Sequence, residues 1–264
     1  LPLNILVWLV TRYIVVGIIL APILSFTQIN KIGGQSDSEK IVVIASILLL
    51  VFLSFGFYWT VILSDAAGGV YEFGQVRTWS GTIELSPYPT LITKDEDGSA
   101  LELLLVAQFK HGAGERVREL QGRSVKLRGT RIARNGITMI ELSSNPITDT
   151  NQAVMGLPNT PFEGEWVTAQ GQIVDSKCWL GVMNPGDGIV HRACANLCIR
   201  GGIPPIFVFQ DSRGQVHYAL LHRSSGESIL ADILPLVGRP VSLRGRFTEA
   251  QVGRLARFEI DSLP

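Results

Sequence analysis

The hydrophobic pattern of this chain changes character near residue 64. Residues 41–63, IVVIASILLLVFLSFGFYWTVIL, run for 23 positions without a charge. At 1.5 Å per residue, a helix of that length crosses a hydrocarbon layer of about 30 Å. Tyr58 and Trp59 stand near its end, where aromatic rings favour the membrane–water interface. Residues 3–26 are also apolar but are interrupted by Arg12. An arginine at the bilayer centre costs about 2.5–3.5 kcal/mol on insertion scales. Arg12 is therefore expected to snorkel to an interface, with the span starting near Tyr13. The alternative is that it pairs with an acidic group or headgroup on a membrane-embedded partner. A cleaved leader is not expected, because a second span follows at once. The pattern predicts membrane helices over 1–28 and 41–63, joined by a loop over 29–40. Lys31 and Lys40 in that loop assign it to the cytoplasmic side and the bulk of the chain to the periplasm.

Beyond residue 64 the pattern becomes short alternating runs separated by Gly, Asp and Asn turns, which predict β-strands. These runs repeat. LQGRSVKLRG (120–129) and LVGRPVSLRG (236–245) share seven of ten residues at an offset of 116. YPTLITKDEDG (88–98) aligns with PPIFVFQDSRG (204–214) at the same offset, whereas SGTIEL from Ser80 aligns with QGQIVD from Gln170 at an offset of 90. The difference of 26 residues implies an insertion in the second copy between Ile173 and Pro204. In the first copy, Asn135–Gly136 predicts a type I′ hairpin turn, and the segment before that hairpin has room for a short helix. Several strands and one short helix in roughly 75 residues predict a small OB-like barrel.

The fold expectation is therefore mainly β, with two transmembrane helices followed by two tandem OB-like barrels. The first barrel is expected over 75–147 and the second over 165–264, joined by an extended Pro-containing linker over 148–164. The second barrel carries a helical, Cys-containing insertion over 176–202.

Formal net charge is zero and charged residues make up 17% of the chain, the deficit lying in the apolar first 63 residues. That balance argues against nucleic acid as a partner, since a nucleic-acid barrel carries a basic groove with stacking aromatics. Arg123, Arg128, Arg131 and Arg134 do cluster at the first hairpin, but Arg128 recurs as Arg244 in the repeat, which favours a structural role. The chain has no CxxCH haem motif, P-loop, GxGxxG, HExxH or GxSxG. No catalytic residue and no enzyme activity are expected.

All three cysteines fall in CWLGVMNPGDGIVHRACANLCIRGG (178–202). The segment IVHRACANLCIR reads as a helix closed by Gly201–Gly202. On it His191, Cys194 and Cys198 stand at i, i+3 and i+7 and share one face, which Cys178 at the preceding strand end can close over. In an extracytoplasmic, loop-rich insertion this predicts first a disulfide from Cys178 to Cys194 or Cys198. The same Cys178, His191, Cys194 and Cys198 set suits Zn²⁺ or Cu(I), with no other cofactor expected. A reactive thiol lacks an identifiable acid–base partner, and three reduced buried cysteines are the remaining alternative. Asp175 and Asp187 read as turn and strand-end residues.

GQIVD (171–175), Cys178, HRACANLC (191–198), the Gly-rich turn, Pro204–Pro205 and the closing GRPVSLRGR hairpin resemble a group of bacterial extracytoplasmic proteins with no assigned chemistry. The resemblance runs from Trp166 to the end of the chain. It implies a barrel in the periplasm, anchored in the cytoplasmic membrane. The wider architecture of a two-span anchor carrying periplasmic barrels is similar to accessory subunits of bacterial energy-converting complexes, photosynthetic reaction-centre–light-harvesting assemblies and respiratory complexes among them. That similarity implies a non-catalytic scaffold in photosynthesis or electron transport, whose partners are other integral membrane subunits and the lipid bilayer.

Overall fold

The computed structural model describes residues 37–65, 68–95, 97–143, 148–149, 164–211, 213–223, 228–251 and 253–262. The first predicted span and Arg12 lie outside the described residues. The chain divides into two compact units, Leu1–Ala66 and Ala67–Pro264.

In the first unit, helix α1 covers Asp37–Asp65. It begins inside the segment read from sequence as the loop over 29–40. Its window Ile41–Trp59 has a mean hydropathy of 2.7, and none of that window is buried within the molecule. Among the described residues this is the one helix long and apolar enough to cross a membrane.

The second unit is two closed five-stranded barrels. The first is built from β1 (Val70–Glu84), β2 (Thr90–Lys94), β3 (Ala100–Val106), β4 (Ser124–Arg134) and β5 (Ile137–Leu142), in the order β1-β2-β3-β5-β4 with β4 returning to β1. A short strand β6 (Thr148–Asp149) adds to the outside of β4. It occupies the first two residues of the segment predicted as a free linker. The second barrel is built from β7 (Glu165–Asp175), β8 (Pro205–Gln210), β9 (Val216–His222), β10 (Pro240–Thr248) and β11 (Arg257–Ser262), and closes in the equivalent order. In both, the third and fifth strands pair in parallel and the other neighbours pair antiparallel. The predicted short helix is present in each copy, as α2 (Gly114–Val117) and α4 (Leu230–Ile233).

Strand register carries both offsets read from the sequence. Ile83 pairs with Leu91 in the first barrel and Ile173 with Phe207 in the second, which are shifts of 90 and 116. Leu91–Leu103 and Gly81–Val125 become Phe207–Ala219 and Gly171–Val241. The last strand is displaced by two more residues, Gly129–Leu142 becoming Gly245–Ile260. Gly129 and Gly245 recur because a side chain at either position would lie 2.6 Å or less from its neighbouring strand. The Asn135–Gly136 turn has φ of 49° and 79°, the positive pair that a type I′ hairpin needs.

The two interiors correspond residue by residue. Ile83, Leu91, Leu103, Val117, Leu127 and Ile140 fill the first barrel, and Ile173, Phe207, Ala219, Ile233, Leu243 and Phe258 fill the second. Phe replaces Leu91 and Ile140 where Ala replaces Leu103, so the gain and loss of volume offset each other, the kind of exchange that cores tolerate.

The insertion, residues 176–204, joins β7 to β8. It holds a π-helical turn (Cys178–Val182) and helix α3 (Gly188–Arg200). Helix α3 places Ala195 and Ile199 in the core of the second barrel. Trp179, Leu180, Cys178, Cys198 and Ile203 belong to a further apolar core between the barrels. The first barrel contributes Leu104, Val106, Ile132 and Met139, and the second contributes Val174, Ile206 and Leu220. This accounts for the unbroken apolar run LLLV (103–106). Leu103 and Leu105 face the barrel interior, while Leu104 and Val106 are covered from outside by the insertion and the other barrel. The barrels are thus one packed unit, and the insertion is their common core.

Candidate functional site

The site forms where the end of β7, the turn after it and one face of α3 meet the loop that follows β3. Asp175 is the last residue of β7 and is fully buried. One of its oxygens accepts the backbone N–H of Cys178 at 2.8 Å, which fixes the start of the turn. The other lies 3.2 Å from Nε2 of His191 on α3. Strand end, turn and helix are therefore tied through one carboxylate.

Lys177 is also buried, with 4% of its side chain exposed. Its ammonium has three donors and three acceptors: the Glu141 carboxylate at 2.7 Å, the Ala107 carbonyl at 3.0 Å and the Phe109 carbonyl at 2.6 Å. A buried ammonium is tolerated only when it is satisfied in this way. All three acceptors belong to the first barrel, so Lys177 fastens the insertion across the interface. Arg134 of the first barrel adds a second tie, donating to the Trp179 carbonyl at 2.8 Å with its guanidinium 4.5 Å above the Trp179 ring.

Helix α3 ends as expected. The N–H of Gly202, at φ 92°, donates to Ile199 O, and that of Ile203 donates to Cys198 O. Gly201 is needed for close approach: a Cβ there would lie 1.7 Å from the carbonyl oxygen of Lys110. The Gly112 N–H donates to the Gly201 carbonyl at 2.7 Å. This crossing of backbones brings Lys110 onto the thiols.

Cys178, Cys194 and Cys198 meet as predicted, their sulfurs all within 4.8 Å of one another. Cys178 and Cys198 are buried and Cys194 is half-buried. The predicted disulfide is not formed, and each cysteine is a free thiol. The Lys110 ammonium stands 2.8 Å from Sγ of Cys194 and 3.8 Å from Sγ of Cys198. His191 departs from the predicted Cys₃His set. It groups with Asp175 and Cys178 rather than with the three sulfurs. The cysteines of the insertion lie within and beside the core shared by the barrels.

The electrostatics follow from these contacts. The Cys178 thiol is pushed above its ordinary range, first by the hydrogen bond it shares with Cys198, then by burial and the Asp175 charge. Cys198 is held below the ordinary thiol range, first by that same hydrogen bond and further by the Lys110 charge. Lys110 is raised, chiefly through its bond to Cys194. The shared hydrogen bond thus sets Cys178 and Cys198 apart, with the Lys110 ammonium beside the sulfurs of Cys194 and Cys198.

Sequence reasoning missed Lys110, Lys177 and the role of Asp175. Asp175 carries a local signal, an Asp three residues before the N–H it accepts. Lys110 comes from the other barrel and has no local signal. No protein-family model, curated protein or solved structure matches this chain.

Proposed function

We propose that this chain is a non-catalytic, membrane-anchored accessory subunit. In this proposal it holds a rigid double-barrel head on the periplasmic face of a larger complex in the bacterial cytoplasmic membrane. The observation that carries it is the uncovered apolar surface of α1, of which no part of the Ile41–Trp59 window is buried within the molecule. Burying apolar surface is worth about 25 cal/mol per Å², so this helix gains by entering a bilayer or packing against other membrane helices. The packing of the head supports a scaffold role, since the insertion fixes the two barrels together instead of leaving a hinge. Energy-converting complexes, photosynthetic or respiratory, are the proposed class of host, by the architectural similarity described above.

The test is extraction of native membranes in mild detergent, followed by sizing and identification of co-purifying subunits. The chain is expected in an assembly with other integral membrane proteins, and a free monomer under those conditions overturns the proposal. Protease added to right-side-out spheroplasts is expected to cleave the barrels. Full protection would place them in the cytoplasm.

A further inference from the structure

We propose that Cys178, Cys194 and Cys198 form a binding site for one soft d¹⁰ cation, Cu(I) or Zn(II), held through three sulfurs. The donors come from two elements. Cys178 opens the turn after β7, and Cys194 and Cys198 are one helical turn apart on α3. With metal–sulfur bonds of about 2.3 Å, a trigonal site has sulfur–sulfur edges of about 4.0 Å. The three sulfurs already lie within 4.8 Å of one another, so closure on an ion shortens any edge by no more than about 0.8 Å.

The chemistry of the donor set selects the ion. Thiolate sulfur prefers Cu(I) and Zn(II), whereas Mg²⁺ and Ca²⁺ require oxygen ligands. The surroundings suit a thiolate complex. Binding the ion releases the thiol protons to solvent; the three thiolates around a single cation then leave net negative charge in a partly buried place, and such charge persists only when paired. The Lys110 ammonium at 2.8 Å from Cys194 supplies that pairing from outside the donor set. The positions of the donors are fixed independently of any ion, Cys178 by the Asp175 carboxylate and the α3 cysteines by the packing of Ala195 and Ile199 into the second barrel. Half-buried Cys194 provides the route of entry.

The test uses the full chain, purified in detergent without oxygen and stripped by a chelator. It is titrated with Cu(I) against a chromophoric Cu(I) competitor, and separately with Zn(II) against a chromophoric Zn(II) competitor. One equivalent of one ion is expected to bind. Which titration saturates at one equivalent distinguishes copper from zinc. Cys194→Ser and Cys198→Ser are each expected to weaken binding at least about 100-fold, and Lys110→Gln about 10-fold. Cys194 is half-buried, so Cys194→Ser should retain the wild-type unfolding midpoint, which separates loss of a ligand from loss of the fold. X-ray absorption of the loaded protein is expected to show a sulfur-dominated shell. Failure of both ions to bind at one equivalent, wild-type affinity in the serine variants, or a shell of only nitrogen and oxygen would each overturn the proposal. These readouts are made on the isolated chain and do not depend on any partner complex.

Discussion

Replacing Lys177 by methionine removes the ammonium that joins the insertion to the first barrel while keeping a side chain of similar length. The Glu141 carboxylate, 14% exposed, is then left without its counter-charge. The Ala107 and Phe109 carbonyls lose a donor as well. Breaking one side of a buried ion pair costs about 3–5 kcal/mol, because the orphaned charge stays desolvated. For a unit of this size, that is a fall in unfolding temperature on the order of 6–20 °C. Adding Glu141→Gln removes the orphaned charge, so the double variant should regain part of the loss, with a coupling of roughly 1–3 kcal/mol. The carbonyls remain unserved in both, so recovery is incomplete. The assay is urea unfolding of the full chain in detergent, followed by tryptophan fluorescence, to which Trp179 at the interface contributes. Wild type is expected to unfold in one transition and Lys177→Met in two, as the barrels lose their tie. A variant within about 0.5 kcal/mol of wild type, still unfolding in one step, would refute the assignment of Lys177 as the fastening between barrels.

Three further substitutions test the same architecture. Trp179→Ala empties part of the inter-barrel core, where Trp179 is 2% exposed, and should cost about 3–5 kcal/mol in the same unfolding assay. Gly201→Ala drives a methyl group into the Lys110 carbonyl and should cost about 1–3 kcal/mol. It should also make Cys194 react faster with a thiol-specific alkylating agent, as the loop carrying Lys110 is pushed away. His222 is held below the ordinary imidazole range, chiefly by burial. Its contribution to stability is therefore present above an unfolded pKa of about 6.5 and is lost as pH falls from there through the depressed folded value. Unfolding midpoints measured from pH 7.5 downward should drop through that window in wild type and drop less in His222→Gln.

Much of the fold was legible because it depends on local periodicity and on comparing one half of the chain with the other. The charge-free run at 41–63, the Asn135–Gly136 turn and the two offsets of 90 and 116 needed no tertiary information. The offsets reappear as strand register because each barrel encodes its own pairing. The meeting of three cysteines was also legible, since Cys194 and Cys198 share a helical face and Cys178 follows closely on the strand before it. What they do there was not. The predicted disulfide followed from cysteine proximity alone, and Lys110, which adds an ammonium at the sulfurs, lies 84 residues from Cys194 in the chain. The inter-barrel core was equally hidden. Leu104 and Val106 read as ordinary strand residues, and only the arrival of Trp179 and Leu180 from the insertion shows why both faces of β3 are apolar.

The claim that the insertion gathers three free thiols inside a rigid head is tested most directly by counting them. The full chain is to be isolated without reductant or oxygen, unfolded in the presence of an alkylating agent and a metal chelator, and weighed by mass spectrometry. Three alkylated cysteines are predicted, matching the three free thiols of the structure. A single alkylated cysteine would mean that two are joined in a disulfide, and would contradict the account.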